Sequence, residues 1–443
     1  MPLETLSLQL LTNALCSLDK GFSNLPDFSP SVPGEARMAE VLAETADRLI
    51  DNFPYFHPLY AGQMLKPPHP VARAAYALAT WINPNNHALD GGRASSAMEK
   101  EAVTQIAAMF GLGTHGWETH LGHLTSGGTM ANLEALWVAG QLQPGKKILA
   151  SAQSHYTHER ISGVLKLPFE KVATDRLGRM DMNALEERAA RGDVGCVVAT
   201  LGTTGVGSID PLPEILALRM KHGFRVHVDS AYGGYFTLAA NLAPHGRAAF
   251  DRIGEADSIV IDPHKHGLQP YGCGCVLFRD PSVGALYRHD SPYTYFSSKD
   301  LHLGEISLEC SRAGASAVAL WATQRLLPLT PGGELAAGLE SSRRAALQMA
   351  WRLEADPRFV VPFPPELDIV VWAPRGGSDV SQRIFDEAAR LNLHLALIQL
   401  PVSFFSGQLD CAGEFVLCLR SVLMKPEHEG WLDAIFDRLD RIL

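Results

Sequence analysis

The chain has 443 residues, 46% hydrophobic and 19% charged, an ordinary globular composition with length enough for a large core and more than one domain. Its formal net charge is −10 and no block of like charges forms a basic arm, so nucleic-acid binding finds little support. The opening MPLETLSLQLLTNALCSLDKGF lacks a cationic start and a clean apolar stretch, no apolar run approaches the roughly 18 residues of a membrane span, and seven scattered cysteines fit the reduced thiols of a cytoplasmic protein.

Residues 1–70 read as an extension, with a helix over 34–52 followed by Phe53-Pro-Tyr-Phe-His-Pro, which prolines keep irregular. Residues 73–82 have helical apolar spacing and stop at Asn83-Pro84. Residues 95–110 are amphipathic and close at Gly111-Leu-Gly113. Strands then alternate with helices. A strand at 122–125 leads through Ser126-Gly-Gly-Thr129 into a helix ending near Val138. Strands follow at 147–150, 194–201, 225–228, 258–261 and 274–279, with helices at 158–165 and 213–222. This alternation predicts an α/β fold with a mainly parallel sheet flanked by helices, whose ligands sit beyond the C-terminal strand ends. Asp229, Asp262 and the turn 126–129 all fall at such ends. After Thr330-Pro-Gly-Gly333 come a long helix (334–354), short strands at 367–372, 394–399 and 415–419 with a helix between the first two, and a closing helix (428–443). That is the pattern of a smaller α+β domain. The expected division is therefore an extension (1–70), a large domain (71–330) and a small C-terminal domain (331–443).

Five segments carry chemistry. In Asp262-Pro-His-Lys265-His, positive neighbours and partial burial would lower the lysine's pKa and free its amine to form a Schiff base; the alternative is a surface-loop lysine. In His227-Val-Asp229-Ser-Ala-Tyr, the strand-end carboxylate either pairs with a protonated pyridine nitrogen or caps a turn. Ala231 is small enough for a flat ring to lie against it, as any core alanine would be. Ser126-Gly-Gly-Thr129 opens a helix, giving either an anion site or a plain N-cap. His155 follows a strand and stacks on an aromatic cofactor or serves the structure. Thr203 and Thr204 meet ring or carboxylate oxygens or satisfy turn backbone. Cys273-Gly-Cys275 has one intervening residue where zinc pairs need two to four, so no metal is expected.

Together the segments TSGGTMANLEAL, SHYTHER, ATLGTTGVGSID, HVDSAYGG and DPHKHGLQPYGCGCVLFRD resemble the group II decarboxylases dependent on pyridoxal 5′-phosphate (PLP). That family includes the glutamate, aromatic amino-acid and tyrosine decarboxylases, with sphingosine-phosphate lyase as a relative. HPLYAGQM, NPNNHALDGGRASSAMEKE, SLECSRAGASAVALWA and LCLRSVLMKP extend the likeness over nearly the whole chain.

The resemblance implies a fold-type I PLP enzyme in which Lys265 holds the cofactor as a Schiff base. It implies that His264 lies near the phosphate and that Gly128 and Thr129 form the phosphate cup. His155 would stack on the ring, opposite Ala231; Asp229 would pair with the ring nitrogen; Thr204 would sit near the ring hydroxyl. Asp262 stands where some relatives have asparagine. Arg420 matches an arginine that grips substrate carboxylate in glutamate decarboxylases, with a structural ion pair as its other reading. Gln63 and His87 fall in substrate-side segments. Tyr293 and Tyr295 are the candidates for the acid that protonates the product.

The implied reaction converts an L-amino acid to its amine and carbon dioxide, with the protein choosing which bond breaks by orientation. A carbon–carbon lyase, an aldehyde synthase and a catalytically silent partner-binding relative are the alternatives. Gln63 with Arg420 suits an acidic substrate, and the texture around Gln269-Pro-Tyr271 an aromatic one. An obligate homodimer with its active site at the interface is also implied.

Overall fold

The computed structural model describes residues 5–26, 28, 31, 34–115, 118–288, 302–409 and 413–442. Four helices open it: α1 (Thr5–Gly21), α2 (Glu35–Leu49), α3 (Pro70–Thr80) and α4 (Arg93–Met109). Helix α1 lies in the extension, where the sequence pattern points to no helix, and packs on α3. Proline sets where α3 starts: Pro70 takes the first helical turn, and the His69 ring accepts the Val71 N–H.

Strands and helices then alternate as β1 (Leu121–Thr125), α5 (Gly128–Leu142), β2 (Lys147–Ser151), α6 (Thr157–Val164), β3 (Phe169–Val172), α7 (Met182–Ala189), β4 (Val194–Thr200), α8 (Leu212–His222), β5 (Arg225–Asp229), α9 (Pro244–Phe250), β6 (Ser258–Ile261) and β7 (Gly274–Phe278). These strands form one sheet in the order β1-β7-β6-β5-β4-β2-β3. Strand β7 runs antiparallel to both β1 and β6, and the remaining pairs are parallel. Strand β4 shows the cause of the architecture. Every residue from Val194 to Thr200 is buried, as a parallel strand covered on both faces requires. Strand β3, half-exposed at the sheet edge, lacks such a run and has no clear signal in the sequence. Helix α8 stops at Gly223, whose φ of 74° is the left-handed cap, with Arg219, Lys221 and His222 at its electronegative end.

The remainder comprises α10 (Gly314–Leu326), α11 (Glu334–Ala355), β8 (Phe359–Val360), β9 (Ile369–Pro374), α12 (Ser378–Arg390), β10 (Ala396–Pro401), β11 (Phe415–Val422) and α13 (His428–Ile442). Its four strands form an antiparallel sheet, β10-β11-β9-β8. Ile369, Phe404 and Met424 join the same buried cluster as Val197, Val228 and Ile259, so apolar contact is continuous between the two sheets. Leu59 and Ala61 pack with Trp372 and Leu419 in a second cluster. Backbone bonds fix that segment: Ala61 N–H donates to His394 O (2.8 Å), and Ala61 O accepts the Val422 N–H (2.8 Å). No helix among the described residues is long and apolar enough to cross a membrane.

A buried charge ties the front of the large sheet together. Glu99 of α4 accepts the Leu124 N–H at 3.0 Å, Arg312 Nη1 at 2.9 Å and Asn86 Nδ2 at 2.6 Å. Glu99 and Arg312 are both almost wholly buried. Removing one member of such a pair strands the other charge, at a cost of about 3–5 kcal/mol. Glu99→Ala should lose stability on that scale in urea unfolding; a loss below about 1 kcal/mol, the value of an exposed pair, would show that the network does not hold β1 in place.

Candidate active site

The C-terminal ends of the parallel strands converge on a cavity of about 290 Å³. Five segments line it: the turn before α5, the loop after β2, the end of β4 with its following turn, the end of β5, and the loop after β6. Gly128, Thr129, His155, Thr204, Asp229, Ala231, Asp262, His264 and Lys265 are thus brought together as the sequence predicts.

Asp229 is buried at the end of β5. Its Oδ2 accepts His158 Nε2–H at 2.8 Å, and Oδ1 accepts the Ala231 N–H at 3.1 Å. Burial alone would raise its carboxyl. The His158 hydrogen bond and neighbouring charge outweigh burial and hold it below the usual carboxylate range. Behind it, His227 is enclosed: Nε2–H donates to Asn132 Oδ1 (2.8 Å) and Nδ1 accepts from Ser258 Oγ (2.9 Å). Burial pulls this imidazole down to about 3, so it stays neutral.

Lys265 reaches the cavity from the loop after β6, with Nζ 3.0 Å from Asp262 Oδ2. His264 Nε2 is 3.5 Å from the same oxygen, and its ring faces Tyr271 at 4.6 Å between centroids. Burial lowers the pKa of His264 and of His155. His155 Nδ1 accepts the Thr157 N–H at 3.2 Å, which leaves Nε2 to carry the proton of the neutral ring. Gly127 has a φ of 152°. A Cβ at Gly128 would come within 2.6 Å of Asp262 Oδ2. That turn needs both glycines, one for its backbone angle and one for close approach.

The threonines after β4 divide their work. The Thr203 hydroxyl accepts the Ser208 N–H (3.0 Å) and so satisfies the turn, while Thr204 lines the cavity. Arg420 of β11 is buried but does not line it. Its guanidinium donates to Thr204 O (2.7 Å), Gly205 O (3.1 Å) and Gly62 O (3.4 Å), and lies 3.4 Å from Gln63 Oε1. The structural ion pair, the alternative reading of this arginine, is not seen: no carboxylate lies within 4.0 Å of it among the described residues. Gln63 is exposed and His87 packs against Gly304; neither lines the cavity. Tyr293 and Tyr295 lie outside the described residues.

Several neighbours escaped sequence reading. His158 carries the decisive bond to Asp229, and its spacing of three from His155 was the available signal. Glu309 accepts the Ser126 N–H at 2.9 Å, and Asn132 anchors His227; neither has a local signature.

The cavity also bears on what it can hold. Asp262 Oδ1, His264 Nδ1 and Thr200 Oγ1 are buried there without a hydrogen-bond partner. The first N–H groups of α5 have no intrahelical acceptor and suit an anion. Glu309 already takes the Ser126 N–H, so that anion would use the donors around Gly127–Thr129. A phosphate at the helix start, a ring N–H toward Asp229 and an aldehyde toward Lys265 match this donor set, so the residues fit PLP.

The model of the pyridoxal-dependent decarboxylase conserved domain matches residues 52–374. The chain belongs to that family. It is therefore a PLP-dependent amino-acid decarboxylase, a carboxy-lyase. It is 28% identical to the L-tyrosine decarboxylase of Enterococcus faecium, over 74% of this chain and 69% of that one. It is 26% identical to the L-aspartate decarboxylase of Thermococcus kodakarensis, over 82% of this chain and 91% of that one. Among solved structures it is similar to Oryza sativa TDC with PLP and tryptamine, at a TM-score of 0.78 and 18% identity, covering 100% of this chain and 99% of that chain. The fold is that of the fold-type I PLP enzymes.

In this decarboxylase the depressed Asp229 pKa has a definite sign. Ionised Asp229 is favoured above the ordinary carboxylate range, and that advantage is lost as pH falls through its lowered value. His158→Ala removes the hydrogen bond and moves the loss to higher pH. The acid limb of the pH–turnover profile should shift upward by about one unit or more, with turnover at pH 7 down by about tenfold or more. An unshifted limb would refute the role given to His158.

Proposed function

We propose that this decarboxylase acts on L-tyrosine or L-aspartate at the Lys265 cavity, working as a homodimer. One observation carries the placement: Lys265, the His158-held Asp229, and His155 with Ala231 line the same cavity at the parallel strand ends. The substrate class rests on the relatives, which are named for those two amino acids.

When bound, PLP supplies an electron-poor ring that accepts the electron pair of the broken Cα–carboxylate bond. The chain's own residues do the rest. Lys265 would hold the cofactor through its amine, with Asp262 beside Nζ to orient it. Asp229 would hold the ring-nitrogen proton, and His158 keeps that carboxylate ionised. His155 and Ala231 would confine the ring, fixing which substrate bond stands perpendicular to it. Gly128 and Thr129, with His264 nearby, would hold the phosphate. Thr204 would meet the ring hydroxyl, and Arg420 fixes the turn that presents it. Gln63, His87 and the acid from Tyr293 or Tyr295 complete the assignment by resemblance.

The dimer rests on α2. All its described residues are unburied, and Met38, Val41, Leu42 and Leu49 form one exposed apolar stripe at helical spacing. Such a face is a mark of association.

Carbon dioxide release should be screened over the standard amino acids, with turnover highest on tyrosine or aspartate. Borohydride should fix a pyridoxyl group on Lys265, and Lys265→Ala should lower turnover by about a thousandfold or more. An unmodified Lys265 in cofactor-loaded protein, or aldehyde formed in place of amine, would overturn the reading. Sedimentation should show a dimer at micromolar concentration, and Leu42→Glu with Leu49→Glu should shift it to monomer; a monomeric parent protein would rule the dimer out.

A further inference from the structure

A second cavity, of about 700 Å³, shares no lining residue with the first. It lies where the 66–70 segment, the start of α11 and the 425–427 turn meet, with Leu268 on one wall. Its walls are mainly apolar: Leu335 and Leu339 from α11, Leu327, Leu268, and the rings of Pro67 and Pro68. Its volume lies in the range of pockets that enclose a small organic ligand.

Two lysines also line it, and their charge is poorly matched. Lys66 Nζ donates to Met424 O (3.2 Å), and Lys425 Nζ to Tyr60 O (2.7 Å) and Leu65 O (3.3 Å). Neither has a carboxylate within 4.0 Å among the described residues. Lys425 is 3% exposed and Lys66 half-buried. The acids nearby do little to balance them. Asp368 is engaged by Tyr232 Oη–H (2.6 Å) and by His266, 3.2 Å away. Glu334 and Glu427 stand exposed at the rim. Arg344, a third cation on the lining, is already paired with Glu429 (2.7 Å). Burial is the leading influence on both lysines, lowering Lys66 to about 8 and Lys425 to about 7. Lys425 Nζ also lies over the Tyr60 ring, 5.3 Å from its centroid, but ammonium groups that meet carbonyl oxygens and a ring face with no carboxylate are costly to enclose, and an anion in the cavity would relieve that cost.

We propose that this cavity is a second ligand site, taking an organic carboxylate whose apolar body lies along the leucine and proline walls and whose carboxylate meets Lys66 and Lys425. The lysines favour an anion, and the walls favour one with a hydrocarbon body over a bare inorganic ion. Leu268, on the wall, is three residues beyond Lys265, and its carbonyl accepts the His69 N–H at 2.9 Å. An occupant would therefore lie against the loop that carries Lys265. The site stands on its own geometry and does not depend on which amino acid is decarboxylated.

The test is calorimetric titration of the cofactor-loaded protein with octanoate, octan-1-ol and inorganic phosphate. Octanoate should saturate one site per chain, with the alcohol and phosphate each weaker by about tenfold or more. Lys425→Met and Lys66→Met should each weaken octanoate by about tenfold or more, provided thermal melting and cofactor absorbance show them folded. Ala337→Phe, on the exposed side of α11, should block the cavity without altering charge and abolish binding even if the lysine variants fail to fold. Equal affinity for the alcohol, undiminished octanoate binding by folded Lys425→Met or by Ala337→Phe, or no saturation by millimolar octanoate would overturn the proposal.

Discussion

The Asp229 carboxylate, buried at the end of a parallel strand, needs its charge stabilised in a place where burial opposes it. His158 meets that need at 2.8 Å, and the neighbourhood is built to let it. For His158 to approach, the loop after β2 must turn back over β5. His227, kept neutral behind them by burial, is bonded to Asn132 of α5 and Ser258 of β6. The same packing leaves Ala231 two residues after Asp229, its N–H bound to the carboxylate, so that the wall beneath a ring is formed by backbone and a methyl group. Pre-organisation here lies in polar groups already paired before a ligand arrives.

Arg420 imposes the second constraint. It projects from the C-terminal sheet but bonds to carbonyls of the 204–205 turn and of Gly62. One side chain therefore links three distant parts of the sequence, and its planar, multi-donor head allows it to do so where lysine would not. With most donors committed to backbone, this arginine acts on the cavity through the position of Thr204. That differs from a direct grip on substrate, and it explains how the C-terminal sheet influences a site built wholly from the large one.

How much of this was legible depends on the range of the interaction. The alternating elements could be read because each carries its own apolar pattern; β4 is a continuous buried run, and α8 carries its own cap. The strand-end positions of Asp229 and Asp262 followed from that pattern, and so did the glycines of the turn before α5. Edge strand β3 and helix α1 were missed because partial exposure removes the periodic signal. Long-range partners were beyond reach. Nothing near Arg420 says that it meets residues 204 and 205, nothing near Glu309 says that it meets Ser126, and nothing near Asp368 says that it meets Tyr232. Thr203 and Thr204 look alike in sequence, and the turn alone decides which hydroxyl serves backbone and which faces the cavity.

The buried charges at the seam between the two sheets share one imbalance. Buried Arg420 and Lys425, with half-buried Lys66, supply three cations, while Asp368 is the acid that influences both Arg420 and Lys66. Its carboxylate, fully enclosed, lies between Tyr232, whose residue borders the active cavity, and His266, which directly follows Lys265. A protein that encloses more positive than negative charge stabilises any anion admitted there, because in a low-dielectric seam the unmet charge cannot be screened by water. The imbalance therefore bears on the second cavity, which Lys66 and Lys425 line, and not on the Lys265 cavity, whose lining includes none of the three cations.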